Sequence, residues 1–192
     1  MAADDEVQEL LRAGRREDAL GAALRAYGPG VLGYLESVLG DPDDARDVFQ
    51  TFAEDLWAWL PSYRGGSLRA AAYRIGRHGA ARFRREAWRR RRERMRTTMA
   101  SRIAASIASP ESRLATKPQD RLARLREALD PDERTLLILR LDRELSWNEV
   151  AEVLSEEGDP VDAAAVRKRF ERVKEKLGKL AHAQGLLTPK SS

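Results

Sequence analysis

The sequence predicts an all-α chain: two small helical domains joined by a flexible linker, the C-terminal one a helix-turn-helix. Three observations carry this. Ala, Arg, Leu and Glu dominate, while aromatic residues make up only 6% of the 192 residues, a composition suited to helix rather than strand. No stretch alternates apolar and polar residues as a half-buried strand does. A helix-start pattern, a capping Asp or Ser followed by Pro or acids, recurs at Asp41-Pro42-Asp43-Asp44, Asp130-Pro131-Asp132-Glu133 and Ser146-Trp147-Asn148-Glu149.

The elements follow in order. Residues 4–26 read as a helix or two, broken near Gly14. Gly28-Pro29-Gly30 is a second predicted break, after which Val31 to Leu39 resumes as helix and Gly40 ends it. Asp41 starts a helix that runs to about Leu60, with acids at the positive end of its dipole. Pro61 to Ser67 is a loop. A long helix from Leu68 then enters RFRREAWRRRRERMR, residues 82–96, where nine arginines face two glutamates. Residues 97–118 are small, polar and weakly periodic, with Pro110 and Pro118. They read as the linker between a domain at 1–96 and a domain at 119–192. The second half reads as a helix at about 120–129, one from Pro131 to near Leu141, and one behind Ser146. Gly158-Asp159-Pro160 breaks the chain, and Asp162 caps a final helix to about Ala183.

Several chemistries are excluded or unsupplied. The absence of cysteine removes disulfides, thiol nucleophiles and cysteine-ligated zinc. Only His78 and His182 could serve a metal site or a histidine base, and they lie far apart. With no Gly-rich phosphate loop and no nucleophile–base constellation, neither an enzyme nor a cofactor is expected. No apolar run approaches membrane-spanning length and MAADDEVQEL is polar, so the expected location is the cytoplasm.

The charge is distributed unevenly around a net +4. From Glu36 to Asp55 there are seven acids and one base. On a helix, Val48, Phe52, Leu56 and Trp59 form the core stripe, while Asp47, Gln50 and Glu54 share the opposite face. Trp57 lies beside them, off the stripe, where an exposed Trp suits a protein contact. A solvated face is the alternative. Further on, Arg74, Arg77, Arg85 and Trp88 cluster opposite Leu68, Ala72, Ile75, Gly79 and Phe83, with His78 nearby and Tyr73 at the flank. Basic groups mixed with aromatics suit unpaired nucleic acid. The last helix sets Val166, Phe170, Val173, Leu177 and Leu180 against Lys168, Arg172 and Lys179, flanked by Arg169 and Lys176, with Arg167 nearer the edge. Behind the helix at Ser146, this is the grammar of a helix-turn-helix offering a basic face to duplex DNA.

Together these residues resemble the sigma-70 family in its short extracytoplasmic-function form. DPDDARDVFQTFAEDLWAWLPSYRGGSLRAAAYRIGRHGAARFRR is similar to that family's second conserved region. LDPDERTLLILRLDRELSWNEVAEVL with VRKRFERVKEKL is similar to its fourth. The resemblance implies a transcription initiation factor that binds core RNA polymerase and directs promoter recognition and melting. Asp47, Gln50, Glu54, Asp55 and Trp57 would dock on the clamp of the largest polymerase subunit. Tyr63, Arg64, Ser67, Arg74, Arg77 and His78 would hold the start-proximal promoter element as unpaired DNA. Arg167, Lys168, Arg169, Arg172 and Lys176 would read the distal element as duplex. An anti-sigma factor is a further partner the family implies. The chain departs from the family pattern at Ala70-Ala71-Ala72, where an aromatic is common, and at Ser155–Val161, which is longer than the family's compact turn. The alternative function is a stand-alone helix-turn-helix regulator, which needs no acidic partner face. A protein adaptor would show no salt-dependent DNA binding.

Overall fold

The computed structural model describes residues 2–97, 128–156 and 158–183, with side chains between 91 and 97 left aside. All regular structure among these residues is helical. Helix α1 spans Ala2–Arg12 and α2 spans Arg16–Leu39. Helix α3 spans Pro42–Trp59, and one 3-10 turn, Leu60–Ser62, leads to the loop before α4, Leu68–Thr97. In the C-terminal unit, α5 spans Pro131–Leu137 and runs into a π-helical turn, Ile138–Asp142. Helices α6, Trp147–Leu154, and α7, Ala163–Ala183, complete the helix-turn-helix. The predicted linker at 97–118 and the helix predicted at about 120–129 lie outside the described residues, apart from their edges.

The helix starts form as the sequence expects. The Asp41 carboxylate accepts from the backbone N–H groups of Asp43 and Asp44, at 2.8 and 3.1 Å. Asp130 and Ser146 each make a full capping box, with Glu133 and Glu149 respectively. Asp162 accepts from Ala165 N–H at 2.6 Å and caps α7. These bonds satisfy donors that a helix terminus otherwise leaves unpaired.

One predicted break is absent: α2 runs unbroken through Gly28-Pro29-Gly30. Proline inside a helix removes one backbone bond and costs about 3 kcal/mol. Packing outweighs that local cost. Val31, Tyr34, Leu35 and Val38, all downstream of Pro29, are buried to 4% exposure or less. The glycines serve close approach instead. A Cβ on Gly30 would sit 2.5 Å from the Tyr73 hydroxyl oxygen, and one on Gly28 would touch Phe49.

Helix α4 is the organiser. It packs on α2 and α3 with one side and on α6 with another. Ala70, Ala71 and Tyr73 are therefore buried along with Leu68 and Ala72 of the predicted stripe, while Ile75 and Phe83 are partly buried, and Tyr73 meets Tyr34 edge-on at 5.9 Å. A single apolar cluster joins Tyr34, Phe52 and Leu56 to Leu136, Ile138, Val150 and Phe170. The two helical units thus share a core.

Candidate nucleic-acid and partner interfaces

Asp47, Gln50 and Glu54 are exposed on α3, opposite buried Val48, Phe52 and Leu56. Neither Asp47 nor Glu54 makes an ion pair among the described residues. Asp55 is half-buried and pairs with Arg82 of α4 at 2.8 Å. Trp57 is not the open ring the sequence suggests. The Arg16 guanidinium lies 3.8 Å from its ring centroid, and Arg16 also donates to the Trp57 carbonyl. Nothing in the sequence links positions so far apart. The acidic face is therefore edged by two internally satisfied groups.

In the loop after α3, Gly65 and Gly66 have φ of +118° and +93°, a region that favours glycine. They turn the chain so that the Tyr63 hydroxyl donates to the Gly66 carbonyl at 2.9 Å. Tyr63 is only 7% exposed and stacks near Trp59, so its ring is core rather than a surface for bases. The Arg64 guanidinium donates to the carbonyls of Pro61 and Tyr63 and remains exposed. Ser67 caps α4 by accepting from Ala70 N–H at 3.0 Å, and its hydroxyl also donates to Glu149 at 3.2 Å.

The predicted basic face of α4 meets the C-terminal unit. Arg77 pairs with Glu156, and His78 Nε2 lies 3.2 Å from the same carboxylate. Arg69 donates to the Arg143 carbonyl. Hydrogen bonding from Arg77 holds the Glu156 carboxyl below its ordinary pKa. Burial, reinforced by Arg77, pushes His78 down, and Glu156 only partly opposes this. Burial raises Glu152, with Arg74 opposing. Sequence reasoning singled out Ser67, Arg74, Arg77 and His78 but missed the acids that face them. Part of their signal was present: Glu149 and Glu152 are spaced as one face of a helix, whereas Glu156 lies past the helix end, where only the fold of the turn places it. Further along α4, Trp88 is 59% exposed. It lines an open groove of about 450 Å³ with Arg84, Arg85, Arg89 and Pro131.

On α7, Val166, Phe170 and Val173 are buried and Arg167, Lys168 and Arg172 are exposed. Arg169 and Lys176 instead reach back to α5, to Asp132 at 3.5 Å and Glu133 at 2.6 Å. Trp147 at the start of α6 packs edge-on against Phe170, with the Arg140 guanidinium 4.6 Å from its ring centroid. Described residues between α6 and α7 bond to one another. Ser155 Oγ accepts from Val161 N–H at 2.9 Å, and Glu156 and Asp159 exchange backbone hydrogen bonds. Among the described residues no cluster of His, Asp or Glu is placed to hold a metal ion. No helix there is long and apolar enough to cross a membrane.

Known proteins agree with this arrangement. Residues 23–90 match the family model for sigma-70 region 2. No curated protein sequence matches the chain. Among solved structures, the chain is similar to CnrH in complex with the cytosolic domain of CnrY. The TM-score is 0.65 at 22% identity, over 94% of this chain and 98% of that one. It is also similar to the sigma factor RpoE in complex with the anti-sigma factor NepR from Bartonella quintana. There the TM-score is 0.53 at 20% identity, over 83% and 94% of the two chains. At these identities the structural likeness speaks for the fold, and the region 2 match speaks for residues 23–90. The sigma-70 region 2 match spans residues 23–90, a segment that holds α3, its following loop and the basic face of α4.

Proposed function

We propose that the chain is a bacterial transcription initiation factor that binds core RNA polymerase, through the clamp of its largest subunit, and directs promoter recognition and melting. The observation that carries this reading is the separation of charge within and beyond region 2. Asp47, Gln50 and Glu54 stand exposed on α3, while the cationic groups lie on α4 and α7. Acids suit a protein partner, and cations suit DNA phosphates. Asp55 and Trp57 edge the polymerase face, held by Arg82 and Arg16. Arg167, Lys168 and Arg172 reach duplex DNA at the distal element, with Arg169 and Lys176 behind them. Arg64, Ser67, Arg74, Arg77 and His78 hold the start-proximal strand, and Tyr63 shapes the loop that carries them. Melting then requires no catalysis by this chain: preferential binding of the unpaired strand shifts the opening equilibrium. An anti-sigma partner belongs to the same reading, since the similar RpoE is bound by one.

The test is co-elution with bacterial core RNA polymerase in size-exclusion chromatography, followed by titration. Asp47→Lys with Glu54→Lys is expected to weaken binding about tenfold or more, because like-charge juxtaposition across an interface costs several kcal/mol. The circular-dichroism melt should be unchanged. Unaltered affinity would leave the acidic face a solvated surface.

A further inference from the structure

The acids of α6 and of the turn behind it have no part in the function proposed above. Glu149 and Glu152 stand at i and i+3 on one face of α6, and Glu156 follows in the extended segment just beyond its end. Glu149 and Glu152 are partly buried where α6 packs against α4, and Glu156 is exposed beside them. Each acid meets a polar group of α4 or of its N-cap, Ser67. Glu149 accepts from the Ser67 hydroxyl and feels the charge of Arg69. Glu152 feels the charge of Arg74. Glu156 pairs with Arg77 and His78 together. The Arg77 side chain keeps only 13% of its exposure, and its Nε is buried without a hydrogen-bond partner.

Ser67, Arg74, Arg77 and His78 are the groups proposed to hold the unpaired promoter strand. Carboxylates are where the backbone of that strand would run, and a carboxylate offers a guanidinium the same oxygen acceptors as a phosphate. Glu156 lies against Arg77 at the start of the segment that leads from α6 to α7. Hydrogen bonds within that segment and Gly158, at φ +83°, fix that position. We propose that Glu156, with Glu152 and Glu149 behind it, is a built-in phosphate mimic: it occupies the DNA-binding face of α4, and nucleic acid has to displace it. This rests on the promoter-face reading of α4. Glu156 and His78 are each about half exposed, at 53% and 47%, so the contact is a weak and reversible one. It filters weak competitors without preventing engagement of a strand that makes several phosphate contacts.

The experiment measures binding of the full-length chain to a fluorescein-labelled mixed-sequence single-stranded DNA by anisotropy at about 0.1 M salt, where surface charges still act over roughly 10 Å. Glu156→Gln is expected to bind about two- to fivefold more tightly than the parent chain. Glu175→Gln removes the same charge from the exposed side of α7 and is expected to leave affinity nearly unchanged. Arg77→Gln in the Glu156→Gln background is expected to reverse the gain. Equal affinity of Glu156→Gln and Glu175→Gln, with Arg77→Gln still weakening binding, would overturn the mimic and leave the DNA face standing. If neither Glu156→Gln nor Arg77→Gln altered binding, the DNA face itself would fall, and the mimic with it.

Discussion

Arg77 joins the two helical units through Glu156, and its neighbours set a pH dependence. The folded chain holds Glu156 below its ordinary pKa of 4.5, chiefly through the Arg77 hydrogen bond. Its contribution is therefore complete above 4.5 and is lost as pH falls through the lower, folded value. His78 is also held below its ordinary 6.5, by burial first and by Arg77 and Arg74 next, against the pull of Glu156. The folded state then binds the His78 proton less readily than the unfolded state. Stability from His78 is complete above 6.5 and declines as pH falls below it. Acid thus weakens the fold in two stages. Urea midpoints measured from pH 7.5 to 5 should fall on the acid side, and His78→Gln should flatten the part just below 6.5. An unchanged profile for that variant would place the titration elsewhere.

Elements were legible wherever a local bond decides them. Asp41, Asp130, Ser146 and Asp162 cap their helices as their sequence positions require. Local signals misled at Pro29, because burial beyond the proline outweighed the lost backbone bond. A different local strain sits between the π-helical turn and α6. Glu144 has φ +54°, a left-handed conformation that a side chain resists. The neighbouring chain holds it there: Leu145 N–H bonds to Leu139 carbonyl at 3.0 Å, and Arg140 donates to the Leu145 carbonyl at 2.8 Å. Glu144→Gly should relieve that strain and raise stability by up to about 1 kcal/mol, since non-glycine residues pay roughly that much in the left-handed region. The added freedom of glycine in the unfolded chain offsets part of the gain. A lower thermal midpoint would show that the Glu144 side chain contributes more than the strain costs.

For the whole molecule, the shared apolar cluster predicts cooperation. Phe52 and Leu136 lie in different units, yet both are at most 1% exposed within one cluster. Phe52→Ala should cost about 3–5 kcal/mol and Leu136→Ala about 2–5 kcal/mol. Each should move one common unfolding transition, followed by circular dichroism and by tryptophan fluorescence. Two transitions, each shifted by only one variant, would separate the units. The all-helical class, the caps, the acidic face of α3 and the basic faces of α4 and α7 are legible in the amino-acid order alone. Those features depend on bonds and periodicities within a few residues. Long-range packing, by contrast, sets Arg16 over Trp57, buries Tyr63 and Tyr73 in the core and seats Glu156 on Arg77 and His78. These are contacts between residues tens of positions apart. They are set by which faces pack to bury the most apolar surface, and no local pattern encodes that choice.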